Sequence, residues 1–200
     1  MINQQKIITY LKEKYNPLTI ALYGSYADGT YNQNSDFDCL IIVKYKDYSH
    51  DDHLIDNVRL DCFIYTEDEI KTKSIEEFIT IYKANIIYDT GIGKQLKSEV
   101  EKYVDSFTYK DKEFLVSWIK KTLWRIGSVD DDSNFRAITF LSESLEDYCL
   151  LRDIFYFGSK KSIKYLKKED KIGYNLFYKA ISTRTNDSII DWGEHIIQYK

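Results

Sequence analysis

Proline occurs once in 200 residues, cysteine three times, and lysine plus arginine (28) fall short of aspartate plus glutamate (32). So little proline, with no low-complexity stretch, excludes collagen-like repeats and proline-rich linkers. The cysteines are odd in number with no Cys-x-x-Cys pair, which argues against a disulfide framework and a zinc site. Cys39, Cys62 and Cys149 are expected to be reduced, buried small hydrophobes. A formal net charge of -4 and a pI near 5.5 speak against a surface built to neutralise nucleic-acid phosphates, so nucleic acid is not an expected partner. No apolar run reaches the length of a bilayer span, and Met1 to Lys6 lacks the order of a signal peptide. The expectation is a cytoplasmic chain with no membrane partner.

What is present suits an ordered core, with 44% hydrophobic and 16% aromatic residues. Apolar spacing predicts a helix over 2–15, stopped by Asn16-Pro17, then a buried strand over 18–23. A polar loop from Gly24 to Ser35 leads to strands over 37–43 and 58–65, with a second polar loop between them. That second loop holds His50 and His53 in Tyr48-Ser-His-Asp-Asp-His, read as a solvated loop in preference to a metal grip. Thr66-x-x-Glu69 and Ser74-x-x-Glu77 have capping-box form and predict two short helices, the second over 75–82. A strand at 86–88 and a helix over 94–104 follow.

Beyond about residue 105 the pattern becomes helical, near 111–126, 134–156, 160–168, 170–183 and 187–199. The expected class is α+β: a small mixed β-sheet with flanking helices over 1–105, then a C-terminal helical bundle over 106–200. Trp118, Leu123, Phe135, Ile138, Leu145, Ile154 and Phe177 are assigned to the bundle core, because periodic aromatics on helices usually pack. Lys160, Lys161, Lys164, Lys167 and Lys168 read as hydrated surface, and Asp130–Asp132 as a polar loop with a helix cap.

Candidate chemistry gathers in the first half. Gly24-Ser25 follows a strand, where glycine permits close backbone approach and the turn offers N–H groups and a hydroxyl to phosphate. Alone it describes a common turn. Asp36 and Asp38 are two apart on a strand and so share a face, and two carboxylates at the mouth of an apolar strand call for a cation such as Mg²⁺. In isolation that pair is better read as a turn cap and a tolerated edge-strand acid. Asp61, inside a strand able to pair alongside, would add a third carboxylate, so that three acids converge on two metal ions.

Leu22-Tyr-Gly-Ser-Tyr-Ala-Asp-Gly-Thr30 followed by Ser35-Asp-Phe-Asp-Cys-Leu-Ile-Ile-Val43 resembles the signature of the polymerase-β-like nucleotidyltransferase superfamily: Gly-Ser, about ten residues, then Asp-x-Asp. A small sheet followed by helices is similar to the kanamycin and lincosamide nucleotidyltransferases. The resemblance implies transfer of a nucleoside monophosphate, AMP foremost, from an NTP to a hydroxyl of a small molecule such as an aminoglycoside or lincosamide, releasing pyrophosphate. It implies that Gly24 and Ser25 hold the triphosphate, that Asp36 and Asp38 bind two Mg²⁺ ions, and that Asp61 binds the catalytic one. Asp28 departs from the pattern, since a basic residue often precedes the Gly29 position. Some relatives use a helical-domain carboxylate as general base; Glu143, Glu146 and Asp147 share one helix face, though a solvated face is the preferred reading. The alternative is an antitoxin-type nucleotidyltransferase acting on a helical toxin protein; a homodimer is a further expected partner state, and a clean homodimer would count against the antitoxin reading.

Overall fold

The computed structural model describes residues 4–128 and 130–199. The chain divides into two compact units, residues 1–106 and 107–200. In the first unit, α1 (Gln4–Tyr15) buries Ile7 and Leu11 and ends before Pro17; residues 2 and 3 of the expected helix lie outside the described residues. There follow β1 (Thr19–Leu22), α2 (Gly24–Asp28), β2 (Phe37–Val43), β3 (His50–Asp51), β4 (Leu54–Ile55) and β5 (Val58–Thr66). α3 (Glu67–Thr72), a 3-10 helix (Ile75–Ile81), β6 (Asn85–Asp89) and α4 (Ile92–Asp105) complete the unit.

The strand order is β3-β5-β2-β1-β6, with β4 also pairing to β5. β1 runs antiparallel to β2 and β6, while β2 and β5 are parallel and matched from Phe37↔Leu60 to Val43↔Thr66. Central β2 is buried along almost its whole length, which is why its sequence is a continuous apolar run. Ile20, Phe37, Ile41, Leu60 and Ile64 join Ile7 and Leu11 in one core, each side chain worth about 1.5–3 kcal/mol on burial.

The capping box at Thr66 and Glu69 is present in both directions, with Glu69 N–H donating to Thr66 Oγ1 and Thr66 N–H to Glu69 Oε2. Ser74 accepts from Glu76 N–H instead, and its segment winds as a 3-10 helix. Two expectations are corrected here. The segment from Gly24 begins with a helical turn, and the loop around His50 carries the short strands β3 and β4. Asp51 within it is buried and accepts hydrogen bonds from Tyr10 Oη (3.1 Å), Lys14 Nζ (3.1 Å), Tyr15 Oη (2.5 Å) and His53 N–H (3.0 Å). These partners hold its carboxyl well below the usual range against the cost of burial. His50 and His53 bond different carboxylates, Asp61 and Asp51 respectively.

The cysteine expectation is also corrected. Register sets Cys39 opposite Cys62 on the parallel strands, with Cα atoms 4.6 Å apart, and the two are paired as a disulfide. Spacing along the chain carries no sign of that register. Cys149 is free and buried.

The second unit holds α5 (Lys112–Ile126), α6 (Asp131–Leu151), α7 (Ser159–Glu169), α8 (Lys171–Thr183) and α9 (Asn186–Ile197). Asp130 caps α6 in a reciprocal box with Ser133. Its core includes Leu123, Leu145, Tyr148, Phe177 and Trp192, with Ile154 packed against it. Trp118, Phe135 and Ile138 are not core: they are 39%, 70% and 60% exposed. Asp170, at the start of α8, accepts from Tyr148 Oη (2.9 Å) and Gly173 N–H (2.8 Å) and pairs with His195 Nε2 (2.7 Å), tying three helices together.

Candidate nucleotide-transfer site

The chain leaves β1 through Tyr23 and enters α2 at Gly24, whose φ is +66°. A Cβ on Gly24 would stand 2.1 Å from Asp38 Oδ2. Only glycine tolerates both the left-handed backbone and that approach. Tyr23 N–H donates to the Asp38 carbonyl at 3.1 Å, fixing the turn against β2. Ser25 is partly exposed on the first turn of α2. The departure at Asp28 has a local cause: its carboxylate accepts from the N–H and the hydroxyl of Thr30, at 3.0 and 2.5 Å, closing the turn around Gly29.

Parallel register places Asp38 beside Asp61, both partly exposed. On the neighbouring edge, β3 brings His50 Nε2 to 2.7 Å from Asp61 Oδ1, its ring against Phe63. Burial, and then the carboxylates of Asp61 and Asp38, push the Tyr23 phenol well above its usual range. Tyr23 is therefore a neutral hydroxyl beside two carboxylates. Asp36 stands just before β2 and is exposed. Its charge is felt by Tyr26, which is raised by burial, Tyr31 and Asp36. The Tyr26 ring stacks on Tyr31 at 4.5 Å, and its buried Oη has no hydrogen-bond partner.

The sequence of residues 5–129 matches the profile of the nucleotidyltransferase domain, more than half of the chain. The chain belongs to the nucleotidyltransferase domain family. Nucleoside monophosphate transfer is its class of chemistry. Among solved structures, it is similar to a nucleotidyltransferase-like protein from Exiguobacterium sibiricum, 12% identical, covering 98% of this chain and 74% of that one with a TM-score of 0.43. It is also similar to a toxin-antitoxin structure with AMP-PNP, 18% identical, covering 51% and 86% with a TM-score of 0.34. No curated protein matches the chain significantly.

For a nucleotidyltransferase, Asp38 and Asp61 have the right chemistry for a divalent cation, being hard oxygen donors on adjacent strands. Among the described residues no group of three His, Cys, Asp or Glu side chains is already gathered as if around a metal ion. Asp61 is engaged by His50, and Asp36 precedes the strand. Tyr23 and His50 were not singled out by sequence reasoning as members of the acid pair's surroundings; the His-x-x-His spacing drew attention to His50 for a different reason. In the helical unit, Glu143 and Glu146 are exposed as expected. Asp147 is buried, one carboxylate oxygen lacks a hydrogen-bond partner, and burial followed by Glu143 and Glu146 pushes its carboxyl up to about 7. No helix among the described residues is long and apolar enough to cross a membrane.

Proposed function

We propose that this chain is a magnesium-dependent enzyme that transfers AMP from ATP to a hydroxyl of a small molecule, of the aminoglycoside or lincosamide kind, releasing pyrophosphate. The observation that carries this reading is the contact of Gly24 with Asp38, beside Asp61, on the sheet of a nucleotidyltransferase domain. Asp36, Asp38 and Asp61 would hold two magnesium ions, which when bound draw charge from the triphosphate and acidify the acceptor hydroxyl. The turn at Gly24 and Ser25 offers backbone N–H groups and one hydroxyl to the triphosphate. His50 orients Asp61, and Tyr23 supplies a neutral donor beside both acids. The helical unit, residues 107–200, is assigned to acceptor recognition, and the acidic net charge suits a cationic small molecule better than a nucleic acid.

The test is incubation of the protein with Mg²⁺, labelled ATP and a panel of aminoglycosides and lincosamides. Labelled product supports the reading, and silence across the panel sinks the acceptor class. Thermal-shift titration with the four NTPs and Mg²⁺ tests the site separately. Asp36→Ala and Asp38→Ala are expected to abolish the metal-dependent shift, and an unchanged shift in both would refute the assignment of these residues.

A further inference from the structure

The antiparallel helices α5 and α6 leave a groove of about 300 Å³ between their outer faces, lined by Trp118, Lys121, Arg125, Phe135, Phe140 and Glu143 among others. Phe140 is buried and forms its floor, with the Trp118 ring 6.5 Å away. Phe114, one turn before Trp118, is exposed, and so is Phe135, which lines the groove. A soluble chain seldom leaves so many large apolar groups together on one helix pair without a partner, and Trp, Phe and Arg are the residues enriched in protein interfaces.

Charge along the groove is unequal. Near the α5–α6 connection, Arg136 is matched by Asp132 at 2.6 Å, and Lys121 and Arg125 remain as a surplus of positive charge. At the other end, one turn beyond Phe140, Glu143 is exposed. The groove is therefore cationic at one end, aromatic in the middle and anionic at the other. A second copy turned by a two-fold axis through the middle meets it with opposite charges at both ends, as an isologous interface requires.

We propose that this α5–α6 face binds a second copy of the same chain, aromatic middle against aromatic middle, with Lys121 and Arg125 of each facing Glu143 of the other. The interface closes on itself, so it gives a dimer and not a filament.

Sedimentation equilibrium of the full chain tests this. The wild type is expected to be a dimer. The charge-reversed double variant Lys121→Glu, Arg125→Glu and the variant Glu143→Lys should each dimerise at least about tenfold more weakly, because both ends of either homodimer then repel. Mixed in equal amounts they should recover the dimer, because the mixed pair restores attraction at both ends. Circular dichroism of each variant alone checks that the helices are intact, and recovery on mixing would itself require folded partners. A monomeric wild type, two variants that remain dimeric, or a mixture that stays monomeric would each overturn the proposal. A monomeric wild type that instead takes up an amphipathic helical peptide in the groove would assign the face to a different partner.

Discussion

Replacing Asp147 by asparagine is expected to stabilise the helical unit, and to do so only as the pH rises. Asp147 has an ordinary carboxyl value of 3.8 that burial, with Glu143 and Glu146, pushes up to about 7. The folded state thus holds this proton more tightly than the unfolded chain does. Its contribution is complete below the ordinary value and is lost as the pH climbs through about 7. At about 1.36 kcal/mol per pH unit, the difference amounts to at most about 4 kcal/mol. Asparagine has nearly the same shape and no charge to bury, so the difference between variant and wild type should be close to zero at pH 4. It should grow to a few kcal/mol in favour of the variant by pH 8. Urea unfolding across that range is the assay, followed by tryptophan fluorescence, because Trp118, Trp124 and Trp192 all lie in the helical unit. Added salt should shrink the part due to the exposed Glu143 and Glu146 and leave the burial part. A pH-independent difference, or a variant less stable than wild type at pH 8, would refute the reasoning.

Gly24→Ala should lower the melting temperature of the sheet unit by several degrees, through the left-handed backbone strain, and cut nucleotide transfer about a hundredfold, since its Cβ forces the Asp38 carboxylate away by about an ångström or more; unaltered kinetics would contradict the close approach. Asp51→Ala should cost the sheet unit about 3 kcal/mol by stranding Lys14 and two tyrosine hydroxyls, read by chemical denaturation at pH 7. Because the Asp51 carboxyl is held low, its contribution is present above the ordinary carboxylate range and fades only in stronger acid; a cost under about 0.5 kcal/mol would mean the hub is surface-like. Asp170→Ala should lower the stability of the helical unit by about 2 kcal/mol through loss of the Tyr148, His195 and Gly173 bonds, and an undisturbed far-ultraviolet melt would count against it.

β2 was legible because a strand buried on both faces must be apolar throughout, and Cys39 to Val43 admits no other economical reading. The capping box at Thr66 was legible because it is a local pattern whose two bonds span three residues. β3 and β4 were hidden because strands of two residues pair through the backbone and are too short to show an alternating pattern. Asp51 looked like a loop residue because its partners, Tyr10, Lys14 and Tyr15, lie far back in the sequence. Helical periodicity identified α5 and α6 but not which stripe faces inward, so Trp118, Phe135 and Ile138 were misplaced. At the candidate site, the proximity of Asp38 and Asp61 followed once two strands were expected side by side. The binding of His50 to Asp61 and the pairing of the cysteines depend on register, which no local pattern encodes.

The carboxylate of Asp51 has a bearing on the order in which the chain takes shape. Three of the groups that fasten α1, on Tyr10, Lys14 and Tyr15, reach an acceptor 36 to 41 residues further on in the chain. An amphipathic helix of 12 residues is marginal by itself in water. Until β3 has been made and laid against β5, α1 has neither its polar anchor nor a finished sheet on which to bury Ile7 and Leu11. A helix that precedes the sheet in the chain is therefore among the later elements to gain a fixed place, and translation past β5 precedes its docking.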